Sequence, residues 1–222
     1  MKLLSISNTK TVKGEIVGYS TAILHLAPHK LSGYNVCPKA SIGCAAACLN
    51  TAGRGRFSTV QVARIRKTKE FFENRIEFMR LLEKDIYLHV NSAIRKGMIP
   101  CIRLNGTSDI PWERIVIRDG KNIMQLFGDI QFYDYTKRTG RQILPNYHLT
   151  FSLAEDNHDA AQSELARGLN VAVVFRQPPE LFWNHPVVDG DETDLRFLDP
   201  QNCIVGLKAK GKAKKDTSGF VI

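Results

Sequence analysis

The chain has 222 residues, 43% hydrophobic and 24% charged, with a formal charge of +9 and a pI near 9.4. That suits a globular domain with a full core, or at most two small ones. No stretch approaches the ~18 apolar residues of a membrane span. The opening MKLLSISNTKTVKGE lacks the apolar core and cleavage site of a secretion signal, so a cytoplasmic protein is expected. The basic balance favours an acidic partner, nucleic acid or a nucleotide first. The alternative is a surface charged only for solubility.

In chain order, residues 20–28 (STAILHLAP) form an apolar run closed by Pro28 and read as a buried strand. The next segment, NVCPKASIGCAAACLNTAGRGRF, holds Cys37, Cys44 and Cys48 in the spacing C-x6-C-x3-C. Residues 58–98 carry helical periodicity, with Ser58 as a candidate N-cap and Gly97 as a candidate end. That length predicts two helices with a break at residues 73–75. Strands follow at 99–106, 130–138, 147–155, 170–176 and 203–211, with helices at 122–129 and 159–168. Residues 177–199, rich in Pro and Asp, read as an irregular excursion. With no repeat and no linker, the whole of 1–222 reads as a single domain.

The predicted strands are apolar almost throughout and do not alternate. Both faces of the sheet are then covered, which predicts an α/β fold with a parallel sheet of about six strands. Each strand ends in polar residues, the edge on which barrel-like α/β folds carry their sites.

The chemistry is concentrated in the cysteines. Five is an odd number, and a reducing compartment argues against a disulfide framework. Thiolates suit iron–sulfur clusters, zinc or Cu(I). The small residues around them, with Gly43, Gly53 and Gly55, let the backbone wrap a cluster such as [4Fe–4S]. Zinc, with His25 or His29 as fourth ligand, lacks the paired short spacing of its structural sites, and plain packing of three thiols is a further alternative. Cys101 lies mid-strand and reads as core. Cys203, at the head of the last strand, is a weak fourth ligand.

Other residues have two readings each. Asn105, Thr107, Ser108 and Asp109 form either a turn or a ligand loop. Tyr133, Tyr135, Lys137 and Arg138 suit either barrel packing or a nucleotide site. Ser152 and Glu155 stand where a ribose could be held, though Glu155 equally fits a helix cap. The run KAKGKAKK, residues 208–215, has five lysines and no acid. It reads as a solvated tail or as a phosphate-binding segment.

The segment LHLAPHKLSGYNVCPKASIGCAAACLNTAGRGRF and the ending GLKAKGKAKKDTSGFVI resemble the phage Gene product 88 family. More distantly, the order of strand, cysteine loop and alternating β/α units is similar to the radical S-adenosylmethionine (SAM) enzymes. That resemblance implies a partial (β/α) barrel. It also implies a [4Fe–4S] cluster on Cys37, Cys44 and Cys48, with the fourth iron open to SAM. Cofactor contacts would then fall at Asn105, Thr107, Ser108, Ser152 and Glu155, and the compartment would be the host cytoplasm. The departures are C-x6-C-x3-C in place of C-x3-C-x2-C and NGTSD in place of a GGEP-like motif. Two functions follow: an enzyme that reductively cleaves SAM, or a non-catalytic iron–sulfur protein with a structural or redox role that binds nucleic acid or a host protein.

Overall fold

The computed structural model describes residues 1–6 and 9–222. Its elements run β1 (Leu4–Ser5), α1 (Thr9–Ile16), β2 (Tyr19–Leu24), α2 (Ile42–Ala46), α3 (Ser58–Glu73), α4 (Arg75–Arg95), β3 (Ile99–Arg103) and α5 (Ile123–Leu126). They continue β4 (Gln131–Thr136), β5 (Tyr147–Ser152), α6 (His158–Ala166), β6 (Val171–Phe175), β7 (Leu181–Phe182), β8 (His185–Asp189) and β9 (Ile204–Lys208). Among the described residues nine strands make one open sheet in the order β1-β2-β3-β4-β5-β6-β9-β8-β7. Strands β2 to β6 and β9 are parallel neighbours, and β8 joins β9 in parallel. Only β1 on β2 and β7 on β8 run antiparallel. The sheet is thus mixed but mostly parallel; β2 to β6 follow chain order, and β9 then inserts between β6 and β8.

The long helical stretch breaks where expected. Asn74 leaves helical geometry at φ −138° and ψ 59°, and Arg75 lays its guanidinium 3.7 Å from the Phe71 ring centroid. The second helix ends at Gly97, whose φ of +68° is a left-handed cap that only glycine adopts without strain. Ser58 is the first residue inside α3 rather than its cap. Helix α4 turns Phe78, Met79, Leu82, Ile86 and Ala93 inward. The first four of these meet Ala22, Leu24, Ile102, Leu104 and Phe132 on one face of the sheet, where the main core lies.

The opposite face is more polar. It presents Thr21, Cys101, Arg103, Tyr133, Tyr135 and Thr150, by the two-residue alternation of strands. Residues 193–199 lie across it. Leu195 packs with Cys101 and Tyr133, Phe197 meets the rings of Tyr19 and Tyr133 edge-on, and Asp194 pairs with buried Arg103 at 2.6 Å. The segment expected to be an irregular excursion therefore closes the second face and also carries the β7–β8 hairpin. That hairpin turns on Trp183 and Asn184, with φ of 53° and 61°, the positive pair of a tight two-residue turn. Tryptophan gives no turn signal in a sequence, so the hairpin was not visible there.

Candidate thiol site at the strand C-terminal edge

The cysteine loop leaves β2 at the C-terminal edge of the parallel strands and is fastened there by loops from β3 and β5. The Thr107 hydroxyl donates to the Leu26 carbonyl at 2.6 Å, and the Asp109 amide donates to the Val36 carbonyl at 2.8 Å. The Cys37 thiol points at the Thr107 carbonyl, 3.7 Å away. Ser41 caps α2 by accepting from the Cys44 amide at 3.0 Å. Glu155, on the loop after β5, then grips both the cap and the helix. Its carboxylate accepts from the Ser41 hydroxyl at 2.7 Å and from the Gly43 amide at 2.6 Å.

Gly43 admits nothing larger than glycine. A Cβ there would lie 2.1 Å from the Ser218 hydroxyl, 2.7 Å from Phe220 Cβ and 2.8 Å from the Glu155 carboxylate. Residues 218–220 are thereby laid directly on the loop. They are held on their far side by β6, where Ile222 donates to the Val174 carbonyl at 2.9 Å and accepts from the Arg176 amide at 2.7 Å.

Cys37, Cys44 and Cys48 are half-buried, unpaired thiols, whereas Cys101 and Cys203 are fully buried. Burial pushes the Cys37 thiol up to about 12, with smaller pushes from Cys48, Asp109 and Cys44. Burial also raises Cys44, opposed by the Lys137 ammonium, and raises Cys48, opposed by its Asn50 backbone contact and the Arg64 guanidinium. The three thiols thus share one patch with a cation on either side. Among the described residues no three His, Cys, Asp or Glu side chains are close enough together to hold a metal ion.

The NGTSD loop is a hub. The Asn105 side-chain oxygen accepts from the Ser108 hydroxyl at 2.8 Å, the Ile110 amide at 2.9 Å and the Trp112 indole at 3.1 Å. Its amide group donates to the Ile110 carbonyl and to Asp134. Gly106 is present for close approach, not for a turn, because a Cβ would fall 2.6 Å from the Ile23 side chain. Asp109 receives the Thr136 hydroxyl at 2.8 Å and the Lys137 amide at 2.9 Å, and shares buried Arg141 with Glu113. The side chains of Asn105, Thr107 and Ser108 are therefore occupied within the protein, and the group of this loop that faces a thiol is the Thr107 carbonyl, opposite Cys37.

Tyr133 and Tyr135 lie on the polar sheet face, Tyr135 beneath the Arg103 guanidinium at 4.8 Å. Lys137 emerges at the edge and donates to the Ser152 hydroxyl at 2.7 Å. Arg138 donates to the Asp109 carbonyl at 3.2 Å. A groove of about 690 Å³, lined by Pro38, Ala40, Lys137, Glu155, Asn157 and His158 among others, opens beside the cysteine loop, within the size range of small-ligand sites. The structure brings together the three cysteines, the NGTSD backbone, Lys137, Ser152 and Glu155. It leaves apart Cys101, Cys203 and the two tyrosines. Sequence reading missed Arg64, whose only hint was a basic residue on a helix, and Ser41, whose capping position before IGCAA was legible.

A mostly parallel α/β protein with a three-thiol loop on its C-terminal strand edge is the class these features define. The chain belongs to the Gene product 88 family, a phage protein family whose model matches residues 1–222. No curated protein and no solved structure matches it. Among the described residues no helix is long and apolar enough to cross a membrane.

Proposed function

We propose that this is an iron–sulfur protein on a partial (β/α) barrel akin to the radical SAM core, with Cys37, Cys44 and Cys48 ligating three irons of one [4Fe–4S] cluster. The observation that carries this reading is the placement of three unpaired thiols on one small-residue loop, while the other two cysteines lie elsewhere. Cys101 sits inside β3 against the Thr21 hydroxyl at 3.1 Å. Cys203 immediately precedes β9, at the opposite end of the sheet from the loop. The donor set fits a cluster: thiolates are soft ligands, and Lys137 and Arg64 offset the negative charge they gather. A cluster so held supplies one-electron chemistry at an iron free of cysteine. The groove beside the loop, with the backbone of residues 105–108, is where SAM would bind, Ser152 and Glu155 lying at its border.

A second reading is favoured by one specific observation. The side chains of Asn105, Thr107 and Ser108 are all occupied internally, and Glu155 already holds α2. A non-catalytic cluster, structural or redox-active, needs none of them free.

Anaerobic reconstitution followed by metal and sulfide analysis tests the first claim, with about four irons and four sulfides per chain expected. Stoichiometric zinc without sulfide would overturn it. Electron paramagnetic resonance of the reduced protein, with and without SAM, separates the two readings. A changed spectrum supports the enzyme, and an unchanged one supports the non-catalytic protein.

A further inference from the structure

The lysine run and the glycine-arginine segment after the cysteines are distant in sequence, yet the fold makes them one surface. Residues Gly53–Arg56 and Gly211–Lys215 are both 3-10 turns. Gly211, at φ +56°, lies so close to the first turn that a Cβ would stand 3.0 Å from the Ala52 Cβ. Ala213 anchors the second turn, buried with Ala47 and Val221 in a small core of its own. Arg176 clamps it from beside β6, donating to the Lys214 carbonyl at 3.3 Å and the Asp216 carbonyl at 2.6 Å.

With the backbone so fixed, the cations face outward. Arg54, Arg56, Arg176, Lys212, Lys214 and Lys215 are exposed, and among the described residues none of them forms an ion pair. Lys210 differs, since it pairs with Asp191 at 2.5 Å. The acid within this segment, Asp216, is occupied by the Ser218 hydroxyl at 2.7 Å and the Val221 amide at 3.1 Å. Directly after Arg56 stands Phe57, a residue 52% exposed, and Leu49 is 53% exposed on the same loop.

We propose that this surface binds single-stranded nucleic acid, its cations tracking the phosphate backbone and Phe57 offering a face on which a base stacks. Two rigid turns of unpaired cations suit a regularly spaced polyanion, and an exposed aromatic among them suits unpaired bases. A carboxylate-bearing protein partner would gain nothing from that ring's stacking. The inference stands on the packing and charge of these turns, not on what the thiols hold.

The test is fluorescence anisotropy of the full chain with labelled 20-nucleotide single-stranded DNA and RNA. Binding is expected at 50 mM salt and should weaken about 50-fold or more by 200 mM, as for four to five phosphate contacts. Replacing Lys212, Lys214 and Lys215 with Gln should cost at least tenfold in affinity and flatten the salt dependence. Adding Arg54→Gln and Arg56→Gln should remove binding. Phe57→Ala should cost about fivefold or more with the salt dependence unchanged. These side chains are exposed, so melting temperatures should match the parent. No binding at 50 mM salt, parent-like binding by the five-fold variant, or equally tight binding of polyglutamate would overturn the proposal.

Discussion

The two ends of the parallel sheet hold cysteine in different surroundings. At the C-terminal edge, Cys37, Cys44 and Cys48 sit on a loop fastened by Ser41, Glu155 and Thr107, with Lys137 and Arg64 offsetting the cost of thiolate charge. Within the sheet and at its N-terminal edge, burial pushes Cys101 up to about 12 and Cys203 up to about 11. No cation acts on Cys101, whereas the Arg196 guanidinium opposes the rise at Cys203. The same side chain is thus core filling in one place and a half-buried loop thiol in the other. Burial raises all five thiols, Cys37 as far as Cys101, and a cation opposes it at Cys44, Cys48 and Cys203 alike; what sets the loop thiols apart is their polar fastening and partial exposure.

The largest expected effect breaks this comparison directly. Cys37→Ala, Cys44→Ala or Cys48→Ala should each remove most of the iron from anaerobically reconstituted protein. Cys101→Ala and Cys203→Ala should keep the iron and lose about 1–2 kcal/mol of stability as small cavities open. Iron that disappears with Cys203 instead would show the two regions sharing one site.

The next effect falls on the fastening. Gly43→Ala drives a methyl into Ser218, Phe220 and the Glu155 carboxylate. It should destabilise the chain by about 1–3 kcal/mol and speed alkylation of Cys44. Thermal melting and mass spectrometry of the alkylated protein read the two consequences. An unchanged melt would mean that residues 218–220 yield freely and do not bind the loop in place.

The interior has a titrating reporter of its own. Asp134 is fully buried, accepting from the Asn105 amide at 2.7 Å and the Tyr147 hydroxyl at 2.9 Å. Burial raises its pKa from 3.8 to about 7, although Arg103 and its hydrogen bonds oppose the rise. The folded state therefore holds a proton that the unfolded chain releases near pH 4. That contribution to stability is full below pH 4 and is lost as pH rises through about 7. Asp134→Asn lacks the dependence. Its melting temperature relative to the parent should climb by about 4 °C or more between pH 4 and 7.5, at about 2–4 °C per kcal/mol. A constant offset would mean that the carboxyl is ionised throughout.

The smallest effect sharpens the role of the cations. Lys137→Met should slow alkylation of Cys44 in the metal-free protein, because the ammonium that favours its thiolate is gone. Cys48, which faces Arg64, should react as before. Equal slowing of both would point to a general disturbance of the loop.

Much of this architecture was legible before any coordinates. The parallel strands from β2 to β6 and β9, the break at Asn74 and the glycine ends at Gly97 and Gly168 all follow from local rules of periodicity and capping. The strand after residue 203 was placed correctly but drawn too long, since it ends at Lys208 and Gly211 opens a 3-10 turn. Lys212 consequently shares no strand face with Lys208. What the sequence hid depends on long-range partners. Strand β1 is two residues long and owes its existence to β2, and β8 needs β9 beside it. At the site, the cysteine crowding could be read directly. That Glu155 holds α2, that Asn105 gathers its own loop, and that Arg64 and Lys137 flank the thiols are facts of tertiary distance, with no spacing rule to announce them.

The laying of residues 218–220 onto Gly43 also has a meaning in time. About 175 residues separate the two contacts. At roughly 5–20 residues per second of synthesis, the cysteine loop is made some 10–35 s before the segment that covers it. During that interval the loop around Gly43 lacks the segment that packs on it. The arrival of residues 218–220 at Gly43 is therefore a late step, the one that completes the packing around α2.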